Sequence, residues 1–321
     1  MAGPGGYDVL EVNGRRLRWR IDGAAGAPVL VFVNGLTQYA ELWTVHRDAL
    51  VAHGFRVVTF DMFGQGESDK PALFIEQEDQ VAALQAIVVA TGAERVFVAG
   101  ISFGGLIALR HAIKHGDRLA GLALLSSFAS LSPQLRLLGG TLLQGLALGG
   151  IAYLQDMLLP MNLSDAWLGP RLDQLGEVKR AGFVANDLFA LQNLMESFLH
   201  FRPLTPELPR IACPTLVLNG EFDFLTPRSL HDELRRGIPD AELVIVPHAY
   251  HAFTLEQPAL VAGLLAGFMR DVLSGAWRGK GRGEGRVAVA PDAPSQDPEP
   301  FPRGFDHMRA IPVRVPRAKR P

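Results

Sequence analysis

The sequence predicts an α/β protein whose mostly parallel central sheet is flanked by helices and interrupted by a helical insertion. Three observations support this class. The chain has 321 residues, of which 48% are hydrophobic and 20% charged, enough to bury a full-sized core. Continuous Val, Ile, Leu and Phe runs, typical of parallel strands buried on both faces, alternate with helix-like stretches. This alternation stops near residue 128 and resumes after about residue 205.

The predicted elements follow in order along the chain. The stretch YDVLEVNGRRLRWRI places Asn13-Gly14 between two alternating runs, which indicates a hairpin with a two-residue turn. A last amphipathic helix is predicted over about 256–273. The remaining predicted strands are residues 28–34, 55–61, 95–100, 119–127, 214–220 and 241–247.

These elements predict one large domain with a helical insertion, which forms an excursion from the sheet, and a C-terminal tail. The tail holds 10 Lys/Arg against 5 Asp/Glu, is dominated by Pro and Gly, and has no apolar periodicity. Such a composition predicts disorder, either as a solubilising extension or as a weak basic contact with an anionic partner. The predicted segments are a flexible N-terminus (1–6), the first part of the core (7–127), a helical lid or cap (128–205), the second part of the core (206–274) and a disordered basic tail (275–321).

Charge and cysteine content argue against several function classes. The formal net charge of −2 gives no global reason to expect nucleic acid as a partner. Cys213 is the single cysteine, which excludes an intrachain disulfide and a cysteine-based zinc site. No metal-ligand cluster, G-x-G-x-x-G pattern or Walker loop stands out, so we expect neither a metal nor a cofactor.

Two segments bear on localisation. The N-terminus, MAGPGGYDVL, lacks the order of a secretory signal, and we expect a cytoplasmic protein. Residues 137–154 carry no charge and approach the length of a membrane span, but glycines interrupt them and Asp156 and Pro160 follow. A span at this position would split the sheet. We therefore expect an apolar cap over a binding cavity and no transmembrane segment.

A serine nucleophile is predicted at Ser102. Residues 100–104, GISFG, match G-x-S-x-G directly after a predicted strand and directly before the helical pattern LIALRHA. A sharp strand-to-helix turn holds a nucleophile in a strained conformation and requires small flanking residues. The alternative interpretation is a glycine-rich packing turn with a spare serine.

A serine hydroxyl needs a base to take its proton and an acid to orient that base. The loop NGEFDFLTP follows a late strand and offers Glu221 and Asp223; we favour Asp223, farther out on the loop, and expect Glu221 to be a solvated carboxylate. The loop VPHAYHAFTLEQP offers His248 and His251. His251 is favoured as the base because it has enough loop to reach the serine, whereas His248 is expected to be structural. Other histidines expected at the surface or in packing are His46, His53, His111, His115, His200 and His307.

Backbone N–H groups are predicted to stabilise the oxyanion that acyl transfer creates. Phe103 follows the predicted nucleophile and supplies one N–H at the start of the helix. The second is assigned to Leu36, because Asn34-Gly35 lets the chain turn sharply at the end of the strand VLVFV.

These motifs resemble the α/β-hydrolase superfamily over roughly residues 7–273. The stretches VFVNGLTQYAELW, FDMFGQGESDKP, VAGISFGGLIAL, CPTLVLNGEFDFLTP and PHAYHAFTLEQP are similar, in order, to the oxyanion turn, the D-x-x-G-x-G-x-S loop, the nucleophile elbow, the acid loop and the histidine loop of that family. The resemblance implies the α/β-hydrolase fold, with Asp61 buried or capping. It also implies a triad and two oxyanion donors, namely Ser102, Asp223 and His251 with Leu36 and Phe103.

The sequence departs from the common pattern of the family at two places. Asn34-Gly35 stands where many members have His-Gly, and Tyr250 stands where many have Gly before the histidine. The Asn-Gly turn, the aromatic residue and two glycines after Ser102, and the loop NGEFDFLTP are also similar to bacterial hydroxyacyl transferases of this superfamily, which move acyl groups from acyl carrier protein. The FGQGES loop resembles an ordinary hydrolase.

The insertion is expected to line an apolar acyl pocket, because it supplies large apolar side chains and almost no convergent charge. Part of this set is expected only to fix the lid to the sheet. The apolar set is Leu137, Leu138, Leu142, Leu146, Tyr153, Met157, Phe183, Phe189, Met195 and Phe198. The substrate-binding candidates are Asn34, Leu142, Leu146, Met157, Phe189 and Met195.

The first function that fits is a serine-dependent hydrolase acting on a medium-chain acyl ester or thioester through an acyl-enzyme, with a small-molecule acyl substrate as partner. The second is an acyltransferase that passes a (hydroxy)acyl group to an alcohol or thiol acceptor. The third is a non-catalytic binding protein that keeps the fold. Ser102 at the elbow argues against dehalogenase or epoxide hydrolase chemistry, which would need an aspartate there.

Overall fold

The structure, a computed structural model, describes residues 6–71, 74–277, 279 and 287–290. Within these ranges one sheet contains every strand expected from the sequence and one more. In chain order the strands are β1 Asp8–Val12, β2 Arg15–Asp22, β3 Val29–Val33, β4 Arg56–Phe60, β5 Val96–Ile101, β6 Leu119–Leu125, β7 Thr215–Gly220, β8 Ala241–Val246 and β9 Val287–Val289.

The sheet is mostly parallel, as predicted. Its spatial order is β1-β2-β4-β3-β5-β6-β7-β8-β9. Strand β2 pairs antiparallel with β1 and β4, and every pair from β4 to β9 is parallel. The predicted hairpin is present: Asn13 and Gly14 have φ values of 51° and 74°. Positive φ at both residues is what a two-residue turn of this kind requires.

Helices cover both faces of the sheet, which explains why its strands are apolar on both sides. Val31 belongs to a buried cluster with Leu106, whereas Leu30 and Phe32 belong to a second cluster with Leu265 on the opposite face. Successive residues of the strand thus alternate between two cores. The helices are α1 Thr44–Ala52, α2 Gln77–Ala90, α3 Phe103–His115, α4 Pro133–Asn162, α5 Asp165–Leu168, α6 Leu175–Ala185, α7 Leu188–Leu199, α8 Arg228–Gly237, α9 Phe253–Glu256 and α10 Pro258–Ser274.

Helices α4 to α7 form the excursion between β6 and β7. Helix α4 is long and apolar enough to cross a membrane by length and composition alone, with a mean hydropathy of 1.5 and 33% of its most apolar stretch buried. A break at Gly150, with φ 68° and ψ −167°, divides it. Its buried side packs against α7 in a small apolar cluster of Leu142, Leu146, Ile151, Leu154, Leu191 and Met195.

The prediction of a disordered tail is wrong for Val287–Val289, which extend the sheet beside β8. The N–H of Ala290 donates to the carbonyl of Ile245 at 2.8 Å. Upstream, the ring of Trp277 packs edge-on against Phe268 with centroids 4.8 Å apart. A short Val/Ala run suffices here because the edge of β8 offers unpaired backbone groups to a further strand. The rest of the predicted tail beyond residue 277, apart from 279, and residues 1–5 lie outside the described residues.

The carboxyl ends of the parallel strands bring the predicted site residues to one edge of the sheet. Strand β3 leads into the turn at Asn34, β5 into Ser102, β7 into the loop of Asp223 and β8 into the loop of His251. In open α/β sheets this edge is where ligands bind.

Buried histidines predict a pH-dependent stability. Burial lowers the pKa of His46 and of His231 to about 4 and that of His111 to about 3. An unfolded histidine binds a proton near pH 6.5, whereas these stay neutral in the folded state until much lower pH. The unfolded chain therefore gains more protons as the pH falls from about 6.5 to about 4, and folding weakens by about 1.4 kcal/mol per pH unit for each histidine.

Urea unfolding at pH 7, 6 and 5 measures the slope of the free energy of unfolding against pH. We expect His46→Leu to reduce it, because His46 is buried with its ring centroid 5.1 Å from that of Trp43. His53→Leu serves as the control, since His53 is exposed. Equal slopes for the wild type and both variants would contradict this account.

Candidate active site

Ser102 occupies a strained turn between β5 and α3. Its φ of 52° and ψ of −118° lie outside the ordinary regions for a residue with a side chain. Neighbouring backbone holds this conformation: the N–H of Ser102 donates to the carbonyl of Leu125 at 2.8 Å, and its carbonyl accepts from the N–H of Gly105 at 3.0 Å. Only backbone atoms of Ser102 take part in the hydrogen bonds found among the described residues, which leaves its hydroxyl for chemistry.

The glycines of the elbow are required by close backbone approaches. A Cβ on Gly100 would lie 2.4 Å from the carbonyl oxygen of Gly104, and one on Gly104 would lie 2.3 Å from the carbonyl oxygen of Asn34. Because Gly104 has no side chain, the first turn of α3 lies directly against the turn that follows β3. The two backbone segments predicted to donate to an oxyanion are therefore neighbours.

Asp223 and His251 form a buried pair. Both carboxylate oxygens of Asp223 lie 3.0 Å from Nδ1 of His251, and the side chains are 0% and 9% exposed. A carboxylate only accepts, so Nδ1 carries the proton that it donates. In the neutral ring Nε2 is then unprotonated and able to take a proton.

The environment of Asp223 keeps its carboxyl ionised. Burial by itself would raise the pKa of Asp223, but the charge and hydrogen bond of His251, aided by His231 and the backbone N–H of Thr226, lower the pKa below its ordinary value. Thr226 fixes the carboxylate with two hydrogen bonds of 2.8 Å, one from its N–H and one from its hydroxyl. The Asp223 carboxylate is thus oriented toward the imidazole before any substrate binds.

Two consecutive serines after β6 connect the elbow to the histidine loop. The hydroxyl of Ser127 donates to the carbonyl of Ser102 at 3.1 Å, and that of Ser126 donates to the carbonyl of His251 at 2.8 Å. No direct bond from Ser102 Oγ to His251 Nε2 occurs among the described residues, and such bonds are often long before substrate binds. The serine pair therefore fixes the relative position of the two loops.

His231 supports the same region from α8. Its Nε2 accepts the backbone N–H of Ser127 at 3.0 Å, so its other nitrogen carries the proton and faces the carbonyl of Pro227 at 3.3 Å. Burial keeps the pKa of His231 low enough that this neutral tautomer persists at neutral pH. Sequence reasoning singled out neither His231 nor the serine pair, because no spacing rule links β6 to α8.

The turn after β3 is held by hydrogen bonds within the protein. The N–H of Gly35 donates to Oε1 of Gln38 at 2.9 Å. Within the described ranges the N–H groups of Leu36 and Phe103, the two predicted oxyanion donors, donate to no protein acceptor. Asn34, a substrate-binding candidate from the sequence, is fully buried, and its side chain bonds to protein groups, namely Phe60, Gln65 and Trp43.

The other substrate-binding candidates divide into two groups. The insertion cluster contains three of them, and the side chain of Leu36 packs against it. Phe189 lies elsewhere: it is 64% exposed, because the buried face of α7 is formed by positions 190, 191, 194 and 195 instead. The candidates in or against the cluster are Leu142, Leu146, Met195 and the partly buried Met157.

Glu221 and His248, the two candidates that the sequence does not favour for the triad, organise the histidine loop. Oε2 of Glu221 accepts the backbone N–H of His248 at 2.9 Å, and His248 adopts a φ of 56°. The Glu221 side chain is only 14% exposed, so the expectation of a solvated carboxylate is wrong. Glu256 adds a second link, because it accepts from the N–H groups of both Tyr250 and Ser164 and so ties this loop to the insertion.

Asp61 is buried, as the resemblance implies. Its carboxylate accepts the N–H of Ala40 at 2.8 Å and that of Glu67 at 3.0 Å, and it pairs with Arg18 at 2.9 Å. It therefore fixes the loops around the oxyanion turn. Across the described part of the chain, no group of three or more His, Cys, Asp or Glu side chains could hold a metal ion.

A nucleophile elbow between a parallel strand and a helix, with an acid and a histidine after later strands, defines an α/β hydrolase. A family model described as serine aminopeptidase, S33, matches residues 26–258. The chain belongs to this family of α/β hydrolases, and it is an enzyme of the hydrolase class.

Individual relatives agree with this assignment. The chain is 30% identical over 236 residues to a protein of Klebsiella pneumoniae with the provisional name carbamate hydrolase RutD, a match that covers 71% of this chain and 85% of that protein. It is 27% identical to the AB hydrolase superfamily protein YisY of Bacillus subtilis, over 76% of this chain and 91% of that one. The crystal structure of the enol-lactonase of Burkholderia xenovorans is similar with a TM-score of 0.74 and 26% identity, covering 82% of this chain and all of that chain.

Proposed function

We propose that this chain hydrolyses apolar acyl esters or thioesters through an acyl-enzyme intermediate on Ser102. The observation that carries the proposal is the buried Asp223–His251 pair, whose hydrogen bonding selects the neutral tautomer that carries its proton on Nδ1 of His251. A base in this state is what a serine hydroxyl needs in order to attack at neutral pH.

The chemistry follows in two half-reactions. Oγ of Ser102 attacks the acyl carbon and its proton moves to Nε2 of His251, while Asp223 stabilises the resulting imidazolium. The developing oxyanion accepts from the N–H groups of Leu36 and Phe103. Collapse breaks the bond to the leaving group, which leaves with the proton from His251. Water then attacks the acyl-enzyme with His251 as base, releasing the acid and free Ser102.

The apolar character of the substrate is inferred from the insertion. The side chain of Leu36, whose N–H is a proposed donor, packs against the cluster of α4 and α7. An acyl chain held beside this donor would meet aliphatic side chains and no buried charge from the cluster. The named relatives fit the same reaction class, because lactones and carbamates are both attacked at an acyl carbon.

A series of p-nitrophenyl esters of increasing chain length tests this proposal. We expect kcat/KM to rise about fourfold for each added CH₂, since burying one contributes about 0.8 kcal/mol, until the pocket is full. Leu142→Ala is expected to move the optimum because Leu142 lies in the cluster, whereas the exposed Phe189→Ala serves as the matched control. A flat, near-zero profile would contradict the proposal.

Acyl transfer would use the same acyl-enzyme with a different acceptor. The chain belongs to a family of hydrolases, and the named relatives include a carbamate hydrolase and an enol-lactonase. We therefore propose water as the acceptor. If an added alcohol or thiol raised the rate of acyl-enzyme breakdown and diverted the product from free acid, transfer would be the better description.

A further inference from the structure

Gln65 makes all its side-chain hydrogen bonds to the oxyanion turn. It lies in the loop after β4 and is fully buried. Its Nε2 donates to the carbonyl of Gly35 at 2.7 Å and to that of Leu36 at 3.1 Å. Its Oε1 accepts from Nδ2 of Asn34 at 3.1 Å. One side chain thus contacts three successive residues of the turn.

The bond to Gly35 fixes the direction of a neighbouring N–H. The carbonyl of Gly35 and the N–H of Leu36 belong to the same peptide unit, which is planar and trans. In such a unit the C=O and N–H bonds point in opposite directions. Because Gln65 holds the carbonyl on its own side, the N–H of Leu36 must point away from Gln65.

Two hydrogen bonds hold this peptide, because the carbonyl of Gly35 also accepts from the backbone N–H of Gln38 at 3.2 Å. Gly35 has no Cβ, so without these bonds little steric resistance would oppose rotation of the peptide. The nucleophile elbow lies close to this peptide: a Cβ on Gly35 would lie 3.5 Å from Cγ2 of Ile101, the residue before Ser102. The bond from Gln65, the shorter of the two at 2.7 Å, therefore helps to select the peptide orientation in which the N–H of Leu36 can serve an oxyanion.

Further hydrogen bonds fix Asn34 and Gln65 themselves. Nδ2 of Asn34 also donates to the carbonyl of Phe60, and Oδ1 of Asn34 accepts from Nε1 of Trp43, at 2.9 Å and 2.8 Å. The backbone of Gln65 pairs with Asn186 in the insertion. Gln65 is thus held through both Asn34 and Asn186, and its bonds carry that order to the turn.

We propose that Gln65 is a positioning residue of the oxyanion hole, acting through the Gly35–Leu36 peptide. The inference rests on the proposed function, since it concerns the donor that would stabilise the acyl-transfer transition state. It assigns to the residue between the two glycines of FGQGES a role in catalysis, although the side chain does not touch the reacting atoms.

Gln65→Met tests the inference, because it keeps the size of the side chain and removes its donors and its amide oxygen. We expect kcat on a p-nitrophenyl ester to fall about 10- to 100-fold with little change in KM, since losing an oxyanion donor outright typically costs 10²- to 10³-fold in kcat. If this variant fails to fold, Gln65→Glu replaces it: its carboxyl keeps an acceptor for Asn34 and lacks the donor once it is ionised, so its kcat is compared with the wild type across a pH profile.

Gln80→Met is the matched control. Gln80 is equally buried and makes two comparable bonds to the same loop, donating to the carbonyl of Phe63 at 2.7 Å and accepting its N–H at 3.1 Å. It does not contact the oxyanion turn. We expect it to lower the free energy of unfolding about as much as Gln65→Met does while leaving kcat near the wild-type value.

The ratio of rates on an ester and on its thionoester reports on the oxyanion itself. Backbone donors stabilise a developing oxygen anion better than a sulfur anion, so we expect this ratio to fall in Gln65→Met and to stay unchanged in Gln80→Met. Equal losses of kcat in both variants with an unchanged ratio would overturn the inference and leave the proposed function standing. If a fluorophosphonate failed to label Ser102 in the wild type and no ester were hydrolysed, the proposed function would fail and this inference with it.

Discussion

Replacing Ser102 with alanine is expected to lower kcat by about 10⁵- to 10⁶-fold, because the nucleophile is removed and the remaining groups cannot replace it. The fold should persist. The side chain of Ser102 makes no capping bond to α3, and alanine meets the same backbone strain at a φ of 52°. Ester turnover by the purified variant, together with its urea unfolding curve, measures both expectations.

The residual activity of this variant is informative. Binding and oxyanion donors alone can leave about 10³- to 10⁴-fold acceleration over the reaction in water. Activity well above that level, in a preparation free of wild-type enzyme, would contradict the assignment of Ser102 as the nucleophile.

Replacing Asp223 with asparagine is expected to lower kcat by about 10⁴-fold. Asparagine has nearly the same shape and can keep a bond to Thr226, but its amide can donate to His251 Nδ1. The imidazole would then carry its proton on Nε2, where it cannot take one from Ser102. The pH dependence of kcat, measured for the wild type and the variant, checks this tautomer argument.

Glu221→Gln is the matched control for this prediction, because Glu221 is the other carboxylate on the same loop. Its oxygen holds the backbone N–H of His248, which a glutamine oxygen can also accept. We expect its effect on kcat to stay below about tenfold, since a neutral hydrogen bond replaces a charge-assisted one without touching His251. A larger loss in Glu221→Gln than in Asp223→Asn would transfer the role of the acid to Glu221.

The fold could be predicted from the sequence because its signals are local. Apolar runs identify the strands, Asn13-Gly14 identifies the hairpin, and the glycines around Ser102 identify the elbow. Each signal is contained in a few consecutive residues. Strand β9 has no such local signal. Its three residues form a strand only because the open edge of β8 lies beside them, so the sequence does not predict it.

The surroundings of the site could not be predicted in the same way. Gln65 acts on Gly35 and His231 acts on Ser127, and both pairs are distant in sequence. From the sequence alone, a polar residue at the end of a strand, such as Asn34, fits two interpretations equally well: a ligand-binding group or a buried hydrogen-bonding group. Only the tertiary structure shows that the side chains of Trp43 and Gln65 form hydrogen bonds with the polar atoms of Asn34.

The insertion could be predicted only in part from the sequence. The sequence predicts a helical insertion rich in apolar residues, and helices α4 and α7 are present in it. Which face is buried depends on how the two helices meet, and this is why Met195 lies in the cluster while Phe189 is exposed. The bonds of Glu256 to Tyr250 and Ser164 further join this insertion to the histidine loop.

The most direct test of the central proposal is to trap the acyl-enzyme. The wild type is mixed with a p-nitrophenyl ester, quenched in acid within one turnover, and analysed by mass spectrometry of the intact chain and its peptides. The account predicts a mass increase equal to the acyl group on the peptide that contains Ser102, and none in Ser102→Ala. An active enzyme that shows no adduct on rapid quenching, or one acylated at another residue, would contradict it.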